Sequence, residues 1–256
     1  MSGDVVLIDS GDGAVSRLVR TAAALFDRAD FNPAALVGGL AVTVRLATAH
    51  RATNDVDTVT DGDGPRTLAL EYLADAAAAA SGRIEIDGVK VDVMPTWPLP
   101  ALQGELPDDE LDRLFVLGHR WALESATSVV VKIITPNSTE ATETGALLVA
   151  TSPALIACKF HALARRRGPR ISKQESDALD LFCLITELVR SDQEIANFVG
   201  APFDIGALVE TQVQRWFIDD TLRLARLASR ATFSGDRIDV GEVETLGRLF
   251  IARLRR

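Results

Sequence analysis

The chain has 256 residues and a formal net charge of −9, with 47% apolar and 25% charged residues, which is typical of a globular protein with a substantial core. Its two cysteines are too few for a disulfide framework or a cysteine-rich zinc site. No apolar run approaches the roughly 18 residues that cross a bilayer, and residues 1–13 do not have the pattern of a signal peptide, so we expect a cytoplasmic protein that does not enter a membrane.

Hydrophobic periodicity predicts alternating strands and helices in the first 60 residues. The predicted elements are a strand or ordered arm at 5–9, a helix at 14–26, a buried strand at 34–37 that ends at Gly38–Gly39, a helix at 40–49 and a strand at 55–60. The last strand, DVDTVT, alternates with a period of two.

A hairpin is the strongest local signal of the next segment, because Asp87–Gly88 stands between two alternating runs in residues 83–94. The other elements predicted here are a loop at 61–65, an alanine-rich helix at 66–80, a helix at 107–125 and a strand at 128–135.

The residues after Pro153 have helical patterns throughout, at 153–167, 174–190, 204–229 and 240–255. We therefore predict an α/β (α+β) fold, in which a small mixed sheet with flanking helices precedes a helical C-terminal half. The expected domains are a catalytic α/β domain at 1–150 and a helical domain at 151–256.

The charges are unevenly distributed along the chain. Residues 1–157 contain 11 Lys and Arg against 22 Asp and Glu, a net −11, whereas residues 158–256 contain 16 against 14, a net +2. A nucleic-acid-binding protein usually has a larger basic excess. Binding of RNA would therefore need a local basic patch in the second half, and the acidic half would repel phosphates unless metal ions intervened.

Three acids form a candidate metal site. Asp55 and Asp57 share one face of the strand at 55–60, and two adjacent carboxylates repel each other unless a cation lies between them. Mg²⁺ is the natural occupant, since it prefers oxygen ligands and is usually held by one or two carboxylates with substrate phosphates. If the second hairpin strand pairs with 55–60, Asp92 reaches the same cleft, and three carboxylates can hold two metal ions.

Gly38–Gly39 gives a second component of the site. A glycine pair between a strand and a helix lets a phosphate approach the backbone, where the first amides of the helix and its dipole favour an anion.

The order strand, glycine pair, helix and D-x-D strand, with a later acid on a hairpin, resembles the nucleotidyltransferase superfamily related to polymerase β. The segments VGGLAV, RATNDVD, ACKFHALARRR and SDALDLFCL resemble the AbiEii-type nucleotidyltransferases more closely, over roughly residues 35–185. That resemblance implies a toxin that transfers a nucleoside monophosphate from an NTP, with tRNA as an acceptor and a cognate antitoxin as a partner.

The resemblance also implies roles for individual residues of the first half. Gly38 and Gly39 match the phosphate-binding turn, and Asp55 and Asp57 match the metal-binding pair. Asp92, as the third metal ligand, is the general assignment of the superfamily. One metal ion would be held by all three acids and the second by the D-x-D pair, with Mg²⁺ expected and Mn²⁺ possible in its place.

Further matches bring in residues on both sides of the domain boundary. Arg51 and Thr53 match a short lead-in motif and are expected to bind the nucleotide. Lys159 matches the catalytic lysine of the third motif, at the edge of the apolar stripe of its helix. Asp177 or Asp180, three residues apart on the next helix, matches the acid of the fourth motif and could orient the lysine. The intervening segment GPRISKQES leaves open which of the two matches.

Several alternatives remain open from the sequence. The acceptor could be a small molecule of the aminoglycoside class or a protein hydroxyl, and the chain could be a nucleotide-binding module without turnover. The basic run at 165–167 is either a solvated helix end or an RNA contact. Cys158 and His161 lie three residues apart and could form a thiol–imidazole pair, although a partly buried pair without catalytic role is favoured.

Overall fold

A computed structural model describes residues 4–9, 13–27, 34–62, 83–96, 106–135, 140–166, 171–233 and 235–256. It divides into two compact units. One, the sheet unit, comprises Met1–Asp108 with His119–Thr151, and the other, the helical unit, comprises Asp109–Gly118 with Ser152–Arg256. The helix predicted at 66–80 and most of the loop before it lie outside the described residues.

The sheet unit is built on a mixed sheet of seven strands in the order β1-β6-β7-β2-β3-β5-β4. The strands are β1 Asp4–Ile8, β2 Ala34–Val37, β3 Asp55–Asp61, β4 Arg83–Ile86, β5 Val89–Thr96, β6 Thr127–Ile134 and β7 Thr142–Val149. Pairing is parallel for β1–β6, β2–β7 and β3–β5, and antiparallel for β2–β3, β4–β5 and β6–β7. The predicted α/β class is confirmed.

Three helices accompany these strands in the described part of the chain: α1 Ala14–Phe26, α2 Gly38–Leu46 and α3 Glu110–Glu124, the last of which is shared between the two units. α1 has the bounds that its apolar spacing predicted, and it buries Leu18, Val19 and Leu25. α2 differs from the prediction at both ends, because it begins at Gly38 and ends where Ala47 takes a left-handed conformation with φ 53°.

The hairpin predicted at Asp87–Gly88 is confirmed. Ile86 pairs with Val89, so the connection has two residues, and both have positive φ, 50° and 75°. This is the conformation of a type I′ turn, whose twist matches that of the two strands. β5 extends beyond β4 and pairs in parallel with β3. The second strand of the hairpin is therefore a direct neighbour of the strand that contains the D-x-D pair.

Strand β7 was not predicted from the sequence. Its run TETGALLV is interrupted by Gly145, which has a φ of 129°, and the pairing with β6 is irregular between Val131 and Lys132. A residue inserted in one strand shifts the alternation of all later side chains, so the period-two signal is lost.

From Ser152 onward, the regular elements of the helical unit are all helices among the residues that the structure describes. They are α4 Ser152–Arg165, α5 Ile171–Leu188, α6 Asp192–Val199, α7 Ile205–Val213, α8 Thr221–Ala231 and α9 Val240–Leu254, with a π-helical turn at Gln214–Asp219. The single helix predicted at 204–229 is therefore wrong, because the π turn divides it. None of the helices described is long and apolar enough to cross a membrane.

Aromatic pairs fill the core of the helical unit. The ring centroids of Phe160 and Phe217 lie 6.3 Å apart with an angle of 73° between the ring planes, and those of Phe198 and Phe250 lie 5.5 Å apart at 86°, so both pairs are edge to face. Such edge-on geometry is favoured by the ring quadrupoles. Gly247 on α9 allows a close approach to the π turn, since a Cβ there would lie 2.5 Å from the Cβ of Phe217.

Candidate functional site

Strands β3 and β5 bring three carboxylates together in the sheet unit. The parallel register pairs Asp57 with Asp92 and Asp55 with Lys90, and paired residues of neighbouring strands point to the same face. A carboxylate oxygen from each of Asp55, Asp57 and Asp92 lies within 4.8 Å of the other two, and all three residues are half-buried. These three residues are named below as the acid triad.

The donor set of the acid triad suits a hard divalent cation. All its ligand atoms are carboxylate oxygens, which Mg²⁺ and Mn²⁺ prefer over nitrogen and sulfur ligands. Three negative charges within 4.8 Å repel one another, and a divalent cation between them would remove that repulsion. The triad therefore fits the expected metal by chemistry and by the spacing of its oxygens.

The glycine pair at the start of α2 lies directly against the triad. Gly38 has a φ of 69°, and a Cβ there would overlap the Asp57 carboxylate, lying 2.7 Å from its Cγ. Only glycine satisfies both the left-handed backbone and the close approach of the aspartate. Because α2 begins at Gly38, the positive end of its helix dipole lies beside this carboxylate. The residue before the helix, Val37, has an apolar side chain that cannot cap it.

The positions of Arg51 and Thr53 explain why residue 39 is a glycine. A Cβ on Gly39 would overlap the Thr53 hydroxyl and lie 2.6 Å from Nη2 of Arg51. Nη1 of Arg51 donates to the carbonyl of Ala52 at 2.8 Å and to Oγ1 of Thr53 at 3.1 Å. The structure thus gathers the glycine pair, Arg51, Thr53 and Asp57 in one place. The side chains of Asp57, Arg51 and Thr53 lie in the space that a Cβ on either glycine would need.

Lys159, Asp177 and Asp180 form a separate cluster in the helical unit. Nζ of Lys159 lies 2.8 Å from Oδ1 of Asp177 and 2.7 Å from Oδ2 of Asp180. Arg166 adds a second cation, with Nη1 2.6 Å from Oδ2 of Asp177. The side chains of the lysine and both aspartates are at most 8% exposed, so the lysine lies deeper than the edge of its apolar stripe suggested. Both candidate acids of the fourth motif contact it. These three residues are named below as the lysine cluster.

Arg45 is a positioning residue that the sequence analysis missed. From the last turn of α2, its guanidinium donates to the carbonyl of Ala150 at 2.7 Å, to Oγ1 of Thr127 at 2.8 Å and to the carbonyl of Val149. These bonds tie the helix that begins at the glycine pair to strands β6 and β7. A basic residue in the last helical turn was the one available signal, and it indicates a favourable dipole interaction rather than these partners.

The basic run that begins at Arg165 is engaged within the helical unit. Nη2 of Arg165 lies 2.7 Å from Asp109 and 2.5 Å from Asp112, and Arg166 pairs with the lysine cluster. The Asp112 amide, together with Arg165 and the Leu111 amide, holds the pKa of the Asp109 carboxyl below its ordinary value. Arg167 lies outside the described residues.

Cys158 is not arranged as a nucleophile. Burial raises the pKa of its thiol to about 12, against a smaller opposite effect of the Lys159 ammonium. The His161 ring packs on Phe115, with the ring centroids 4.7 Å apart. A thiol that stays protonated at neutral pH is inert, which favours the structural interpretation of this pair.

Comparison with known proteins gives the family of the chain. A family model described as "Nucleotidyl transferase AbiEii toxin, Type IV TA system" matches residues 21–201, which confirms the resemblance predicted from the sequence. No curated protein matches the chain. Among solved structures, an antigenic nucleotidyltransferase-like protein from Paracoccidioides brasiliensis is 15% identical with a TM-score of 0.43, over 86% of this chain and 97% of that one.

Proposed function

The chain belongs to the AbiEii nucleotidyltransferase toxin family, and on this premise we propose that it transfers a nucleoside monophosphate from an NTP to a hydroxyl of tRNA and releases pyrophosphate. The reaction would take place in the cytoplasm, where both substrates occur. The family model describes a toxin of a type IV toxin–antitoxin system, so we expect a cognate antitoxin as a partner.

The observation that carries this proposal is the convergence of the acid triad beside the glycine pair. Divalent ions, Mg²⁺ or Mn²⁺, held by Asp55, Asp57 and Asp92 would supply charge neutralisation for a triphosphate and acidify an acceptor hydroxyl. A first ion would use all three acids and a second the D-x-D pair. Measured binding of a divalent cation would distinguish this metal site from an acidic surface, and that measurement does not depend on turnover.

The chain's own residues would hold the nucleotide near this face of the sheet. The positive end of α2 at Gly38–Gly39 favours an anion, and the guanidinium of Arg51 beside it can bind two phosphate oxygens at once. Thr53 accepts a hydrogen bond from Arg51 and so restricts the orientation of the guanidinium. Arg51 would therefore bind phosphate, and Thr53 would position it.

Lys159 is proposed as a cation for the NTP phosphates, as the family pattern implies, with Asp177 and Asp180 as the groups that orient it. An ammonium has three donor protons, and two carboxylates at 2.8 and 2.7 Å fix its direction. The two carboxylates also offset much of the charge of the ammonium. Lys159 would therefore contribute more to NTP binding by its fixed position than by its net charge.

A cationic small molecule is the second candidate acceptor. Residues 1–157, which contain the acid triad, have a net charge of −11, and an acidic surface attracts a polycation such as an aminoglycoside more readily than RNA.

Labelling tests the proposal directly. The protein is incubated with each α-³²P-labelled NTP, Mg²⁺ and total bacterial RNA, as wild type, as Asp57→Asn and as Asp87→Asn. The last variant is a matched control, because Asp87 is an exposed aspartate in the hairpin turn, and asparagine is equally favourable at its φ of 50°. We expect label in tRNA-sized RNA with wild type and Asp87→Asn, and a loss of more than about a hundredfold with Asp57→Asn.

Other outcomes assign the chain to a different function. Equal labelling by Asp57→Asn would remove the acid triad from the chemistry. Label in a protein or an added aminoglycoside, and none in RNA, would replace tRNA by that acceptor. NTP binding without transfer to any acceptor would make the chain a nucleotide-binding module.

A further inference from the structure

Helix α8 has an exposed row of arginines. Arg223, Arg226 and Arg230 are separated by three and four residues, which puts them on one face of the helix, and all three are exposed. The opposite face buries Leu224 and Leu227 in the core of the helical unit. Between Thr221 and Ala231 the helix contains no acidic residue. These three residues are named below as the arginine row.

A buried tryptophan holds one end of the row in place. The guanidinium carbon of Arg223 lies 5.0 Å from the centre of the Trp216 ring, and that of Arg215 lies 5.8 Å from it. Trp216 is 2% exposed and belongs to the π-helical turn before α8. Because a rigid aromatic ring holds both guanidinium groups by cation–π contacts, less side-chain freedom is lost when they bind an anion. Arg215 thus extends the row to a fourth cation.

The ion pairs of the row are weak enough for a stronger anion to replace. Arg223 lies 3.5 Å from Asp220, and Arg230 lies 3.3 Å from Glu175, with both arginines more than half exposed. Pairs at such long distances with an exposed cation contribute little and are screened by salt, although Glu175 itself is only 18% exposed. The guanidinium of Arg226, between them, makes no hydrogen bond or ion pair with any residue that the structure describes. The run at Arg165 differs, since its carboxylate partners lie at 2.7 and 2.5 Å.

An exposed aromatic residue follows the row. Phe233 is 66% exposed, two residues after α8 ends. Exposed aromatic residues that accompany arginines are typical of surfaces that bind single-stranded or looped RNA, where phosphates contact guanidinium groups and unpaired bases stack on aromatic rings. From Arg223 to Arg230 the helix rises about 10 Å. That length faces about three nucleotides of a strand that rises 3.4 Å per nucleotide.

We propose that the arginine row, with Arg215 and Phe233, is the surface by which the helical unit binds the phosphate backbone of RNA. The inference rests on the proposed function, because tRNA is the acceptor there, and it identifies where the chain holds that acceptor. The surface has four guanidinium groups, and no acidic residue lies between the three on α8. Such a row matches the regularly repeated phosphates of RNA better than the irregularly spaced carboxylates of a folded acidic protein.

Binding of fluorescein-labelled bulk bacterial tRNA, followed by anisotropy over a range of NaCl without NTP or divalent metal, tests this surface. The row variant is Arg223→Gln, Arg226→Gln and Arg230→Gln together. The matched control replaces Arg190, Arg248 and Arg255 by glutamine, because these arginines are 64–67% exposed and each pairs with a glutamate. Both variants change the net charge equally, and glutamine retains helix propensity.

We expect the row variant to bind tRNA at least about tenfold more weakly than wild type, and its plot of log K against log salt to be less steep by about two to three. The control should bind like wild type, and both should melt near the wild-type temperature. Phe233→Ala should weaken binding of a labelled single-stranded RNA without changing the salt dependence, since a stacked ring carries no charge.

Three results would overturn the inference: wild type that does not bind tRNA, a row variant that binds like wild type, or an equal loss in both triple variants. The last result would mean that only total charge matters. Asp57→Asn distinguishes this inference from the proposed function, because it should bind tRNA normally while transfer is lost. Binding through the row without labelling of RNA would refute transfer to tRNA and leave the RNA surface standing.

Discussion

Aspartates have opposite surroundings in the two units of this molecule. In the sheet unit, Asp55, Asp57 and Asp92 bring like charges within 4.8 Å of one another in a half-buried setting. In the helical unit, Asp177 and Asp180 are buried to 1% and 0% exposure, and the ammonium of Lys159 lies within 2.8 Å of each. The first arrangement accumulates charge, and the second neutralises it.

This difference predicts different effects for charge substitutions in the two clusters. Like charges held close together reduce stability, and an added cation would compensate the repulsion within the acid triad. A buried ion pair adds little net stability compared with an apolar pair, but removing one partner is strongly destabilising. Charge substitutions should therefore affect mainly function in the acid triad and mainly folding in the lysine cluster.

Lys159→Met gives the largest expected loss of stability. It leaves two buried carboxylates without their central cation, so we expect the free energy of unfolding to fall by about 3–5 kcal/mol. Chemical denaturation measures it, with Lys132→Met as the matched control. Lys132 also pairs with an aspartate, Asp4, but that pair is exposed, and its loss should change stability by less than about 1 kcal/mol. Similar small losses in both variants would contradict the assigned difference between the two units.

Gly38→Ala is expected to have an intermediate effect and to damage the site as well. Gly38 and Gly88 have nearly the same left-handed φ, 69° and 75°, so alanine should destabilise the chain by about 1–2 kcal/mol at either position. Only at Gly38 does the new Cβ meet the Asp57 carboxylate, whereas nothing lies within 4 Å at Gly88. We expect Gly38→Ala to be less stable than Gly88→Ala and to lose transfer. Equal transfer by the two variants would show that the turn does not position Asp57.

The smallest predicted effect is at alkaline pH in the helical unit. The Cys158 thiol has a folded pKa of about 12, raised by burial from an ordinary value of 9.0. The folded state therefore retains the proton above pH 9 while the unfolded state loses it, and stability is present below pH 9 and decreases as pH rises towards 12. We expect wild type to lose about 1 kcal/mol more than Cys158→Ala between pH 8 and pH 10. Parallel stability curves for the two proteins would contradict the assigned burial of the thiol.

Local signals predicted much of the sheet unit. Asp87–Gly88 indicated a two-residue hairpin, and the alternation in residues 55–60 put Asp55 and Asp57 on one face; both follow from backbone preferences within a few residues. Gly145 illustrates the limit, because the irregular pairing near it removed the alternation that would have indicated β7.

Features that depend on tertiary packing were harder to predict from the sequence. The depth of Lys159 is set by the packing of α5 over α4, whereas the helix pattern alone put the lysine at the edge of an apolar stripe. The π turn at Gln214–Asp219 changes backbone hydrogen bonds without changing the apolar spacing, so the periodicity of 204–229 gave no sign of it. Asp92 could be assigned only on the condition that its strand pairs with 55–60.

Cation binding by the acid triad tests the central claim most directly. Titration of Mn²⁺ into wild type, Asp92→Asn and the control Asp87→Asn, followed by electron paramagnetic resonance of free Mn²⁺, requires no acceptor or turnover. We predict saturable binding in wild type and the control, and affinity at least about tenfold lower in Asp92→Asn, because one of three oxygen ligands loses its charge. Equal Mn²⁺ affinity in all three proteins, or none in wild type, would contradict a metal centre formed by Asp55, Asp57 and Asp92.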